Sequence, residues 1–158
     1  MGRIITGSTK YFTLCLGAAL LAFIMGMAPA ARAEEPIGLV KTSSGDVRIE
    51  RGGQKLAAAS GAKLYQSDQV LTGADGAAGM TFIDNSRLSL GANSVLALER
   101  FRFNTTTYEG EFVSSVKKGT LAAVSGKIAK QTPEAMQVRT PSAILGVRGT
   151  KFIVSVGN

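Results

Sequence analysis

Val138-Arg139-Thr140-Pro141-Ser142-Ala143-Ile144-Leu145-Gly146-Val147-Arg148-Gly149-Thr150-Lys151-Phe152-Ile153-Val154 reads as a strand, a constrained corner and a second strand. Pro141 fixes its own φ, pushes Thr140 toward extended geometry and donates no backbone hydrogen bond, so the first strand stops there. A β-branched and aromatic run from Lys151 begins the second. Nothing in the stretch is a ready-made catalytic group.

The same pattern extends back to Gly38. Short apolar or β-branched runs alternate with Gly, Asn, Asp and Ser, and no segment carries a sustained helical apolar stripe with caps. Strands are expected at Gly38 to Thr42, Val47 to Arg51, Gln54 to Leu56, Gln69 to Thr72, Ala78 to Ile83, Arg87 to Leu90 and Val95 to Phe103. Further strands are expected at Glu111 to Lys117, Thr120 to Ser125, Met136 to Arg139 and Lys151 to Val156. The joins Ser43 to Asp46, Gly52-Gly53, Gly73 to Gly76, Asp84 to Ser86 and Gly91 to Ser94 hold residues that accept positive φ, and are read as strand reversals. Ala57 to Tyr65 is open between one helical turn and a loose crossover. Asn104 to Gly110 is a polar loop with one exposed aromatic, and Lys127 to Glu134 is a loop between Gly126 and Pro133.

Alternation assigns the faces. Val47 and Ile49 point one way, Arg48 and Glu50 the other. Met80 with Phe82, Leu88 with Leu90, Leu96 with Leu98, Phe101 with Phe103, Phe112 with Val116, Leu121, Val138 and Phe152 with Val154 complete the expected core. On that assignment Phe152→Ala costs about 3 to 5 kcal/mol. Turns every ~8 to 12 residues indicate an all-β, jelly-roll-like β-sandwich of about ten to twelve short strands. A β-solenoid-like stack is the structural alternative, although no fixed repeat period supports it.

Ahead of this domain stand Arg3 and Lys10, an uncharged apolar run from Tyr11 to Met27, and Ala28-Pro29-Ala30-Ala31-Arg32-Ala33. That is the layout of an N-terminal hydrophobic signal helix, a signal peptide over 1–33 with cleavage between Ala33 and Glu34 and Ala31-x-Ala33 as the small-residue site. The alternative is an uncleaved membrane anchor, the run being close to the shortest that spans. Cys15 lies inside the run after Leu14 and is read as part of it, not as a lipid-attachment site. Export places the domain, 34–158, in the periplasm or outside the cell.

The domain has no His, no Cys and no Trp, which removes Ser-His-Asp and Cys-His nucleophiles, thiol redox chemistry and ordinary zinc sites. A carboxylate-only hydrolase is the residual enzymatic alternative; no catalytic residue, metal or cofactor is assigned. Net charge is +7, falling to +4 once Arg3, Lys10 and Arg32 are removed. Lys117, Lys118, Lys127, Lys130, Arg139, Arg148 and Lys151 put much of it in the last third. Scattered as they are, they read as solubilising charge on polar strand faces, with attraction to an anionic envelope polymer as the alternative. No nucleic-acid partner is expected, and a membrane contact only through an uncleaved N-terminus.

In order along the chain come Gly45-Asp46-Val47, Gln69-Val70-Leu71-Thr72-Gly73-Ala74-Asp75-Gly76, Phe82-Ile83-Asp84-Asn85-Ser86-Arg87-Leu88-Ser89-Leu90 and Val116-Lys117-Lys118-Gly119-Thr120-Leu121. The series ends in Val138-Arg139-Thr140-Pro141 with Gly146-Val147-Arg148-Gly149-Thr150-Lys151-Phe152. From Gly38 to Val156 this series resembles the FecR domain. The resemblance implies an all-β extracytoplasmic module. In well-known members it is the outer part of a membrane regulator that relays occupancy of an outer-membrane iron-siderophore transporter to a cytoplasmic sigma factor. Only Met1 to Lys10 precedes the apolar run and the chain ends at Asn158, so the expectation here is a stand-alone exported binding, scaffold or signalling module, with an envelope protein or anionic polymer as partner. A membrane-tethered signalling component is the alternative.

Thr140, Pro141, Gly146, Arg148, Gly149, Thr150 and Phe152 are the motif residues, structural or binding. Arg148 is the most suggestive, because a guanidinium beside flexible backbone can grip a carboxylate or phosphate through two parallel hydrogen bonds. Otherwise it pairs internally with Asp75, Asp84 or a carbonyl while the glycines form a corner. Asp75-Gly76 and Asp84-Asn85-Ser86 read as turns rather than calcium loops, which gather six or more oxygens.

Overall fold

The computed structural model describes residues 34–147 and 151–157. The segment expected to be a signal peptide, with Ala31 and Ala33, and the motif residues Arg148, Gly149 and Thr150 lie outside the described residues. Among those described are β1 (Gly38–Ser44), β2 (Val47–Arg51), β3 (Gln54–Ala57), β4 (Lys63–Leu64), β5 (Gln69–Thr72) and β6 (Ala77–Phe82). They continue as β7 (Arg87–Leu90), β8 (Val95–Phe103), β9 (Gly110–Val124), β10 (Met136–Arg139), β11 (Ile144–Gly146) and β12 (Lys151–Val156). The chain is all-β, as its alternation requires, and the strands form one large sheet curled into two layers.

Pairing defines the layers. The first runs β4-β1-β6-β7-β9-β12 and the second β3-β2-β5-β8-β9-β10-β11. Both orders match position by position, so β1/β2, β6/β5, β7/β8 and β9 are four ribbons side by side, each crossing from one layer to the other. Three joins expected to be strand reversals, Ser43 to Asp46, Gly73 to Gly76 and Gly91 to Ser94, are these crossings; only Gly52-Gly53 and Asp84 to Ser86 join paired neighbours. Turn residues report a local positive φ and not which strand lies alongside, which is why the two cases look alike in sequence.

The crossings stack. The Gly73 N–H donates to the Asp46 carbonyl at 2.8 Å and the Asn93 N–H to the Gly73 carbonyl at 2.9 Å. The Gly91 N–H donates to the Thr120 carbonyl at 3.0 Å, and the Thr120 N–H to Ser94 Oγ at 2.9 Å. Corner backbone left unpaired by the strand ladders is thereby satisfied by the next corner. β9 makes its crossing within one strand at Gly119, φ +86°, so the two strands expected at Glu111 to Lys117 and Thr120 to Ser125 are one.

Between the layers lies the core. Phe82, Phe101 and Phe112 meet with ring centroids 4.7 to 5.9 Å apart, and Ile49, Leu88, Leu96, Leu98, Val116, Leu121 and Val138 are buried around them. Phe103 and Phe152 were expected in the core but are only partly buried against it. Phe152 sits on β12, which pairs with β9 and with no other strand among the described residues. Lys127–Gln131, expected as loop, is a short helix, α1, followed by a 3-10 turn at Pro133–Ala135. Burial of Ile128 and Ala129 holds it, since five residues are too few for intrinsic helix stability.

Candidate functional site

β10 and β12 flank the same strand. β10 pairs parallel with Phe112 to Ser115 of β9, and β12 pairs antiparallel with Gly119 to Val124. The C-terminal motif therefore adds a fifth ribbon along the side of β9 that β8 and β7 leave open. Thr140 and Pro141 form the tip between β10 and β11: Ala143 N–H donates to Thr140 Oγ1 at 3.0 Å and Thr140 N–H to the Ala143 carbonyl at 2.8 Å. Gly146 is exposed and pairs with Gln137, and the Val147 N–H donates to the Met136 carbonyl at 3.0 Å. These contacts make Thr140, Pro141 and Gly146 builders of the hairpin. Phe152 lines a cavity.

Asp75 and Asp84 act as turn fasteners. Asp75 Oδ1 accepts from the Asp46 N–H, and the buried Asp84 carboxylate accepts from the Ser86 N–H and hydroxyl. Among the described residues no three His, Cys, Asp or Glu side chains converge. Asp68, fully buried, takes two parallel hydrogen bonds from Arg51, at 2.7 and 2.8 Å, and one from the Tyr65 N–H. The Asp68 carboxylate raises the Arg51 pKa above its already high value, so this pair is a permanent tie between β2 and the chain entering β5. No proton transfer follows from it.

The feature with chemistry to offer is the outer face of the first layer. Residues paired directly across strands share a face, and the register runs Lys63, Leu39, Thr81, Arg87, Val124, Lys151 in one lateral row. The adjacent row is Gly79, Ser89, Ala122, Ile153. A groove of about 720 Å³ lies here over β7, β9 and β12, lined by Arg87, Ser89, Ala122, Val124, Lys151 and Ile153. The strands of this layer, with β9 counted only from Gly119 to Val124, contain Lys41, Lys63, Arg87 and Lys151 and no Asp or Glu. All four cations are exposed, and none joins an ion pair among the described residues. On the second layer, by contrast, Arg100 pairs with Glu111 and Arg139 with Glu99. Arg87 and Ile153 were no part of the sequence-derived site, because they lie 66 positions apart and share a face only through β9.

A sequence profile described as FecR protein matches residues 68–158. No curated protein and no solved structure gives a significant match.

Proposed function

Because this chain belongs to the FecR family, we propose that it is an extracytoplasmic, non-catalytic binding or scaffold module of the signalling type, exported by its N-terminal segment and engaging a protein partner in the cell envelope. The observation that carries this reading is the acid-free basic face of the first layer, with an apolar groove and Ile153 74% exposed beside it. Exposed aliphatic surface bordered by unpaired charge is the composition of a recognition patch. Among the described residues no helix is long and apolar enough to cross a membrane.

Purification from the envelope followed by N-terminal sequencing tests the export half, with a chain starting at Glu34 expected and one starting at Met1 supporting the tethered alternative. In-cell crosslinking tests the binding half. A defined protein adduct is expected; recovery of the module uncrosslinked from every position tried would remove the partner.

A further inference from the structure

Four strands have a free long side among the described residues: β3, β4, β11 and β12. β3 has four residues, β4 two and β11 three. Shortness is one of the ways proteins disarm sheet edges. β12 has six residues, keeps unbroken register with β9 from Lys151 to Val156, and contains neither a proline nor a bulge. Alternate residues of a strand paired on one side aim their N–H and C=O groups away from the partner. β12 thus presents a regular row of unused backbone donors and acceptors.

Side chains along this edge add a preference. On the outer face β12 shows Lys151, Ile153 and Ser155, all exposed, next to the groove floor of Ala122 and Val124. With strands about 4.8 Å apart, Arg87 stands roughly 10 Å from Lys151 in the same row, and Lys63 about 14 Å beyond Arg87. No carboxylate opposes them in the strands of this layer, β9 entering it only from Gly119 to Val124.

We propose that the free edge of β12 takes up one further β-strand from an acidic polypeptide segment, with a carboxylate beside Lys151 and an apolar side chain beside Ile153. This rests on the reading of the chain as a binding module and names its partner's chemistry. A peptide fits better than an anionic glycan or polyphosphate because the edge repeats backbone donors and acceptors at strand spacing, which only another backbone matches. The cations steer and set register; the backbone bonds hold the strand.

The test is titration of the purified domain with three probes, followed by amide NMR shifts and fluorescence anisotropy. They are a synthetic alternating Glu-Val peptide, the same peptide N-methylated at alternate residues, and dextran sulfate. The Glu-Val peptide is expected to shift β12 and β9 amides, to bind at least tenfold more weakly to Lys151→Glu and Ile153→Lys, and to lose binding on N-methylation. Both substitutions lie on exposed positions, and unchanged circular dichroism and melting temperature verify that each variant is folded. Equal binding of the N-methylated peptide or of dextran sulfate would overturn the proposal in favour of a charge-only site. Absence of any β12 shift with the parent peptide would overturn it too, as would a dimer of the free domain that Ile153→Lys dissociates, which would assign the edge to a second copy. A partner crosslinked in cells from other surfaces, with no peptide bound at β12, would leave the binding function standing and remove only this edge.

Discussion

Phe82 and Phe152 look alike in an alternating strand, yet their surroundings differ. Phe82 is 2% exposed and touches both Phe101 and Phe112, while Phe152 lies partly buried on the outermost strand of its layer. Phe82→Ala is therefore expected to cost about 3 to 5 kcal/mol in urea unfolding, and Phe152→Ala only ~1 to 2 kcal/mol because part of its area stays wet in either case. Equal losses would mean that β12 is covered by something besides β9. Periodicity of two tells which residues share a face, which is why Val47, Ile49, Met80, Leu88 and Val138 were legible as core. It does not tell whether a strand is central or outermost, and Phe103 and Phe152 were misjudged for that reason.

At the scale of the element, β9 organises the fold, since it belongs to both layers and accepts β8, β7, β10 and β12. Gly119 permits this. Its φ of +86° is left-handed, and a Cβ there would overlap Ser94, whose Oγ accepts the Thr120 N–H. Gly119→Ala combines a penalty of about 1 to 2 kcal/mol for the left-handed residue with ~1 to 3 kcal/mol for overpacking. A loss of about 2 to 5 kcal/mol in chemical denaturation is the expected outcome, and a change below ~1 kcal/mol would show that the crossing tolerates an ordinary residue. Gly119 was read as a break between two strands because a glycine in a β run signals either a turn or a bend. Strands bounded on both sides by turns that carry Gly or Asn, such as Val47–Arg51 and Arg87–Leu90, were legible to the residue. The two-residue β4 and three-residue β11 were not, being too short to show alternation, and α1 exists only because the core receives Ile128 and Ala129.

For the whole molecule, four ribbons folded at a column of corners leave two outer faces of different character. The second layer neutralises Arg100 and Arg139 in ion pairs, whereas the first leaves Lys63, Arg87 and Lys151 exposed without a carboxylate. In sequence Lys151 reads as one of several scattered cations, and Lys63 and Arg87 do not stand out, since nothing local announces that the three share one lateral row. The family resemblance was legible from the order of the corner motifs, because the crossings that stack are the glycine-bearing joins themselves. The partner-binding face was not, because it is assembled by register. The central claim is that this face, at the edge of β12, is where the module meets its partner. Placing a photoreactive residue at position 153 in cells, with one at position 106 in the exposed loop as reference, tests it most directly. A discrete adduct from 153 that is absent from 106 and at least tenfold reduced by Lys151→Glu is the predicted result; equal adducts from both positions, or one from 153 indifferent to Lys151→Glu, would contradict it.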